Sequence, residues 1–197
     1  MMDKRNTTIT GQGMGIGGVV DSFFYSSVAV PESIKGKIFS IEVCIENVFE
    51  MKSNDRGTFG LMVRSNLNPG SSHFSVVLDS TGVRIQFREQ DNSVTTISDP
   101  TSIVDGENAE GSWLRVYRVG SEFQAFFRKK DTNYQLIGSA TVNIPGSVEV
   151  GIALSSGKLD ASERVTFSNF NLEVCMCFVW LVYSLKLVNA LVLTCME

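Results

Sequence analysis

Apolar and polar side chains change places every second residue through most of the chain between residues 19 and 173. In "GVRIQFRE", Val83, Ile85 and Phe87 form one series and Arg84, Gln86 and Arg88 the other. In "WLRVYR", Leu114 and Val116 oppose Trp113, Arg115 and Tyr117. In "EFQAFF", Phe123, Ala125 and Phe127 oppose Gln124 and Phe126, and "VEVGIALS" sets Val148, Val150, Ile152 and Leu154 against Glu149, Gly151, Ala153 and Ser155. Successive side chains of a strand point to opposite faces, so this period predicts strands with one face buried. Further runs of the same kind are "KIFSIEVCIENV", "TFGLMVRS", "HFSVVLD", "SVTTIS", "YQLIGSATV" and "RVTFSNFNLEV". The segments between them, such as "NLNPGSS", "DSTG", "KKDTN" and "NIPG", collect Gly, Pro, Asn, Asp and Ser, which are turn formers. The reading is an all-β, antiparallel, two-sheet sandwich. Its expected core includes Val63, Phe74, Val76, Leu78, Val83, Ile85, Phe87, Leu114, Val116, Phe123, Phe127, Val150, Ile152 and Phe167.

Two stretches break the pattern. The opening "TITGQGMGIGGVVDSFFY" carries Gly13, Gly15 and Gly18 in the G-x-G-x-x-G spacing that cradles a dinucleotide pyrophosphate. That chemistry needs a strand before the glycines and a helix after them. The glycines run instead into "VVDSFFYSSVAV", which reads as strand, so they are expected to form a flexible entry into a β-domain. At the other end, residues 174–193, "VCMCFVWLVYSLKLVNALVL", hold seventeen apolar residues in twenty. As a helix they would run about 30 Å, the thickness of a bilayer core, although Lys186 opposes insertion by about 2.5 to 3.5 kcal/mol. The expectation is a β-domain over 8–174 and an apolar, helical tail over 175–197 that is a candidate membrane segment.

Seventeen basic against twenty-one acidic residues give a formal charge of −4, which argues against a nucleic-acid partner. The four cysteines, Cys44, Cys175, Cys177 and Cys195, have neither a disulfide framework nor zinc spacing. The start has no apolar stretch of the kind a signal peptide carries, so a location at the cell surface or on a membrane is expected through the tail instead.

The series "GTFGLMVRSNLNPGSSHFSVVLDSTGVRIQFRE", "SWLRVYRVGSEFQAFFRKKDTNYQLIGSATVNIP" and "VEVGIALSS…RVTFSNFNLEV" resembles the jelly-roll domains of the concanavalin-A-like lectin/glucanase superfamily. Within that superfamily it is similar to the laminin-G-like modules of secreted bacterial carbohydrate-active and surface proteins. The glycine-rich lead into "DSFFY" fits the same modules, so the resemblance runs from about residue 8 to 174. It implies a jelly-roll sandwich. It implies function only loosely, since the fold hosts lectins, hydrolases and adhesion modules.

A hydrolase of this fold would need two carboxylates about 5 to 9.5 Å apart across the scissile bond. Glu42, Glu46 and Glu50 recur at steps of four, about 13 Å along a strand, and read as a solvated face whose carboxylates pair with arginines. His73, the single histidine, is expected at the surface, and no G-x-S-x-G elbow accompanies it. "DGEN" (105–108) and "DTN" (131–133) offer oxygen ligands for a structural calcium, but both are also ordinary turn chemistry, and no other cofactor is indicated. The chain is therefore read as no enzyme.

The polar side of the strands carries Trp113, Tyr117 and Phe126 with Arg64, Arg84, Arg88, Arg115 and Arg128. Rings cover the C–H faces of sugars, and planar donors meet hydroxyls and carboxylates. The expected ligand set is Arg64, Arg84, Arg88, Trp113, Arg115 and Tyr117 on one surface, binding a glycan or surface polysaccharide and favouring anionic sugars. The alternative is a structural or protein-interaction module of a larger surface protein, without glycan specificity.

Overall fold

Strands with one apolar face must stack as two layers, and the computed structural model shows this. It describes residues 6–30, 38–49, 57–101, 108–144, 148–176, 179–183 and 194–195. The strands are β1 (Asn6–Gly13), β2 (Phe24–Val30), β3 (Ile38–Phe49), β4 (Thr58–Arg64), β5 (His73–Asp79), β6 (Gly82–Arg88) and β7 (Thr96–Ile97). They continue as β8 (Trp113–Val119), β9 (Glu122–Arg128), β10 (Gln135–Thr141), β11 (Val148–Ser155), β12 (Lys158–Met176), β13 (Val179–Tyr183) and β14 (Thr194–Cys195). Sheet I has the order β1-β12-β3-β8-β9-β10, with β13 added on β12. Sheet II has the order β14-β2-β11-β4-β5-β6-β7. Every named pair is antiparallel.

The core lies between the sheets and is the set the alternation marks. All of its expected members are buried except Phe87, which is half-buried and packs against the rest. Aromatic pairs link the two layers. Phe74 on β5 stacks on Phe123 on β9 with centroids 5.1 Å apart, and Phe59 on β4 meets Phe167 on β12 edge-on at 6.2 Å.

The glycine-rich opening forms no helix. β1 is an edge strand with little apolar character beyond Ile9, so hydrophobic period does not mark it. It leads into a loop in which Gly15 and Ser22 exchange backbone hydrogen bonds of 2.9 and 3.0 Å. Gly13 (φ 132°) is needed here, because a Cβ would stand 2.1 Å from the Ser22 carbonyl oxygen.

The helical expectation for the tail is corrected where the tail is described, since residues 175–176, 179–183 and 194–195 are strand. β12 continues to Met176, and β13 folds back on it with Leu172 opposite Tyr183 and Met176 opposite Val179. Among the described residues β1 covers this flank of β12 only as far as Ser168, which leaves the stretch beyond it for a further strand. "VWLVY", rich in β-branched and aromatic residues, pairs with that stretch. Residues 184–193 of the segment lie outside the described residues. Among the described residues no helix is long and apolar enough to cross a membrane.

Truncating Phe123, which is fully buried and stacked across the layers, is expected to cost about 3 to 5 kcal/mol. Urea unfolding of Phe123→Ala measures it, and a loss below about 1 kcal/mol would contradict this packing.

Candidate functional site

The outer faces of the two sheets differ, and the expected ligand set is divided between them. Sheet II carries Arg64, Arg84 and Arg88, while sheet I carries Trp113, Arg115 and Tyr117.

On sheet II, cross-strand register puts Arg64, His73 and Arg88 in one row over β4, β5 and β6. The loop between β1 and β2 lies over this row. Its Ile16 and Phe23 pack with Tyr25, Met62, Val77 and Ala153 as a second apolar cluster, and its Asp21 meets the arginines. Asp21 accepts from Arg88 Nη2 at 2.7 Å and Nη1 at 3.0 Å, and from Arg64 Nη2 at 3.4 Å. Arg88 also donates to the carbonyls of Gly18, Pro69, Ser71 and Ser93 and to Thr95 Oγ1. Arg64 donates to Asn66 and Asn68 carbonyls and to Ser71 Oγ, with its guanidinium 5.3 Å from the Phe23 ring centroid. Both arginines are fully buried, so on this face they act as counter-ions to Asp21 and ties for the loop. Arg84, nearer the β5–β6 turn, forms an ion pair with Asp79 at 2.7 Å and hydrogen-bonds Thr81.

The expectation of a surface histidine is also corrected: His73 is fully buried under the same loop. Burial, and the nearby Arg64 and Arg88 charges, push its pKa down to about 3. Its Nδ1 lies 3.4 Å from the Ser71 carbonyl, while Nε2 has no hydrogen-bond partner among the described residues.

On sheet I, three cross-strand rows build an open groove. Glu173, Ser40, Tyr117 and Gln124 form the first row over β12, β3, β8 and β9. Asn171, Glu42, Arg115 and Phe126 form the second, and Cys44, Trp113 and Arg128 the third. The groove, of about 330 Å³, is lined by Ile38, Phe39, Ser40, Arg115, Tyr117, Gln124, Phe126, Tyr134 and Glu173. That volume falls at the small end of ligand pockets, roughly 300 to 1,000 Å³.

Its polar groups are tied to one another. Glu42 Oε2 accepts from Arg115 Nε at 3.0 Å and Nη2 at 2.5 Å, and from the Tyr134 hydroxyl at 3.1 Å. The Tyr134 ring lies 4.1 Å from the Arg115 guanidinium and 5.0 Å from that of Arg128, which in turn lies 4.6 Å from the Trp113 ring. Burial works against the Arg115 charge, but the Glu42 carboxylate more than offsets it and holds the guanidinium above its ordinary range. Burial, followed by the Glu42 charge, raises the Tyr134 hydroxyl. Glu173 accepts from Asn171 Nδ2 at 3.0 Å.

Of the six expected residues, Arg115 and Tyr117 thus line the groove, and Trp113 stands one row away. Phe126, read from the same polar side, joins the lining, and Arg128 stands beside it in the row of Trp113. Glu42, Gln124, Ser40 and Glu173 sit on faces that alternation exposes but could not bring together without the strand order. Tyr134 directly precedes β10, at the head of the run "YQLIGSATV", and only the strand order shows which face it joins. Among the described residues no group of three or more His, Cys, Asp and Glu could hold a metal ion. Residues 105–107 of the "DGEN" calcium candidate, and Glu50, lie outside the described residues, whereas Asp131 occupies a turn with φ 61°.

No protein-family model and no curated protein matches the chain. Solved structures do. A functionally unknown protein from Saccharomyces cerevisiae superimposes with a TM-score of 0.63 at 16% identity, over 89% of this chain and 93% of that one. Arcelin-5, a lectin-like defence protein from Phaseolus vulgaris, gives 0.50 at 13% identity, over 87% and 99%. A glycoside hydrolase family protein from Mycobacterium thermorestibile gives 0.49 at 9% identity, over 84% and 76%. At such identities the likeness is one of fold. The chain has the antiparallel two-sheet jelly-roll fold that these structures share, and none of the likenesses singles out the laminin-G-like branch.

The buried cluster on sheet II makes two expectations measurable. Asp21→Ala leaves two buried guanidiniums without their carboxylate, and is expected to cost about 3 to 5 kcal/mol in urea unfolding. His73 is neutral when folded and near 6.5 when unfolded, so between pH 6.5 and 3 the unfolded chain holds the extra proton, and stability falls as pH falls through that window. Between pH 7 and 5 this one histidine should remove about 2 kcal/mol. Urea titrations should show that loss in the native protein and its absence in His73→Leu; equal pH slopes would contradict the buried neutral ring.

Proposed function

We propose that the protein is a non-catalytic carbohydrate-binding module and that the sheet I groove is its binding face. The observation that carries this is the groove itself, where Tyr117 and Phe126 offer rings beside Arg115, Gln124, Ser40 and Glu173 in one open depression. Rings take up the apolar faces of sugars, while short polar side chains fix hydroxyls. The fold, shared with a lectin-like protein, is compatible with this reading. Support for a binding role rather than a catalytic one comes from Glu42. It accepts three hydrogen bonds as the ionic partner of Arg115, an arrangement suited to holding side chains in place rather than to delivering a proton.

A glycan array on the whole chain, followed by titration of the best binders, tests the proposal. Tyr117→Ala and Phe126→Ala should each weaken binding by about tenfold or more, the loss expected from about 1.4 kcal/mol of ring contact. Circular dichroism should be unchanged, since both side chains lie on the outer face. Binding to no sugar, or binding untouched by both substitutions, would leave the groove without this role and favour the interaction-module alternative.

A further inference from the structure

The arginines that suggested an anionic ligand are already engaged, and the groove shows how. Arg115 presents its Nε–Nη2 edge to Glu42, which takes both donors on one carboxylate oxygen, while Tyr134 lies 4.1 Å from the guanidinium. Arg128, the other cation of the site, is placed between the Trp113 and Tyr134 rings at 4.6 and 5.0 Å. The acidic groups are Glu42, in the row that supplies Arg115 and Phe126 to the lining, and Glu173, within the lining itself. Among the described residues two cations therefore face two carboxylates, and these groups leave no net charge for an acidic sugar to neutralise.

We propose that the groove selects neutral saccharides and that Glu42 sets this selectivity, by occupying the guanidinium edge that would otherwise receive a sugar carboxylate. This rests on the carbohydrate reading of the groove and goes beyond it by assigning the sugar class and a residue that excludes the other class. A uronate entering here has to compete with an internal carboxylate held by three hydrogen bonds. It also has to approach Glu42 and Glu173, and like charges brought together are costly. A neutral ring meets neither obstacle. It needs only the faces of Tyr117 and Phe126 and hydrogen bonds from the groove's uncharged groups.

A gain of function is expected when the Glu42 charge is removed. Glu42→Gln keeps the shape and an acceptor for Tyr134 but removes the charge that holds the Arg115 edge, so an outside carboxylate can displace the neutral amide there. Guanidinium–carboxylate pairing through two parallel bonds is among the stronger polar contacts, and an affinity gain of about tenfold or more is expected for uronates.

The test is calorimetric titration of the whole native chain, Glu42→Gln and Glu42→Ala. The probes are neutral tetrasaccharides of glucose, mannose, galactose and xylose, set against tetragalacturonate and tetramannuronate. Each titration is run at about 0.1 M and 1 M salt, where the Debye length falls from about 10 to about 3 Å. The expected result has three parts. The native protein binds a neutral tetrasaccharide with little salt dependence and binds the uronates at least tenfold more weakly. Both variants gain uronate affinity at low salt, and the gain is lost at high salt. Native protein that binds a uronate as tightly as its best neutral sugar would overturn the selectivity while leaving the carbohydrate reading intact. Folded variants with no uronate gain would overturn the role of Glu42. Failure of every sugar with the native protein would instead overturn the carbohydrate reading itself.

Discussion

One carboxylate, Asp21, organises an entire outer face of the molecule. It arrives on a glycine-rich loop and sits over a row of Arg64, His73 and Arg88 contributed by three neighbouring strands. Two buried guanidiniums without a counter-ion would carry a desolvation cost that neither sheet nor core could offset. With Asp21 in place and backbone carbonyls filling the remaining donors, the same groups tie the loop across β4, β5 and β6. Apolar contacts of Ile16 and Phe23 with Tyr25, Met62, Val77 and Ala153 complete the seal. Gly151, Ala153 and Ser155, which strand alternation places away from the core, are buried for this reason.

The consequence for function is one of surface. With much of the sheet II face closed by its own chain, the rings and donors open to solvent gather on sheet I, where the third, fourth and fifth strands of its order meet. There the pleat turns Glu42, Arg115 and Phe126 outward in one row and Ser40, Tyr117 and Gln124 in the next. Arg115 and Arg128 act within the rows, stacked on Tyr134 and Trp113, and Glu42 holds the arrangement together by its bonds to Arg115 and Tyr134. The result is a depression whose shape comes from aromatic rings and whose charges cancel. It suits a ligand recognised by its faces and hydroxyls more than by its charge.

The legible parts of the fold were those governed by period. Val83, Ile85 and Phe87, or Phe123, Ala125 and Phe127, can share a face only if the backbone is extended, and burial then follows from their chemistry. β1 was not visible in this way, because an edge strand with Ile9 as its main apolar contribution takes its stability from pairing with β12. The tail misled for a related reason. An unbroken apolar run satisfies both a helix and a buried strand, and over Val179–Tyr183 the choice fell to the flank of β12, a feature of the sheet and not of the segment.

The candidate site was legible only in halves. Side-chain alternation alone assigned Trp113, Arg115, Tyr117 and Phe126 to an outer face, and there they are. It assigned Arg64 and Arg88 to an outer face as well, correctly, but an outer face of the other sheet and beneath a loop. Local pattern, composition and turn chemistry are properties of neighbours along the chain, so the sequence by itself determined the strands, their apolar faces and hence the two-layer class. Strand order, register and loop coverage join residues far apart in the chain: Asp21 to Arg88, Glu42 to Arg115, Tyr134 to both Glu42 and Arg128. Those contacts depend on which of many similar strands lie side by side, and only the tertiary structure decided which arginines became buried counter-ions and which became part of a groove.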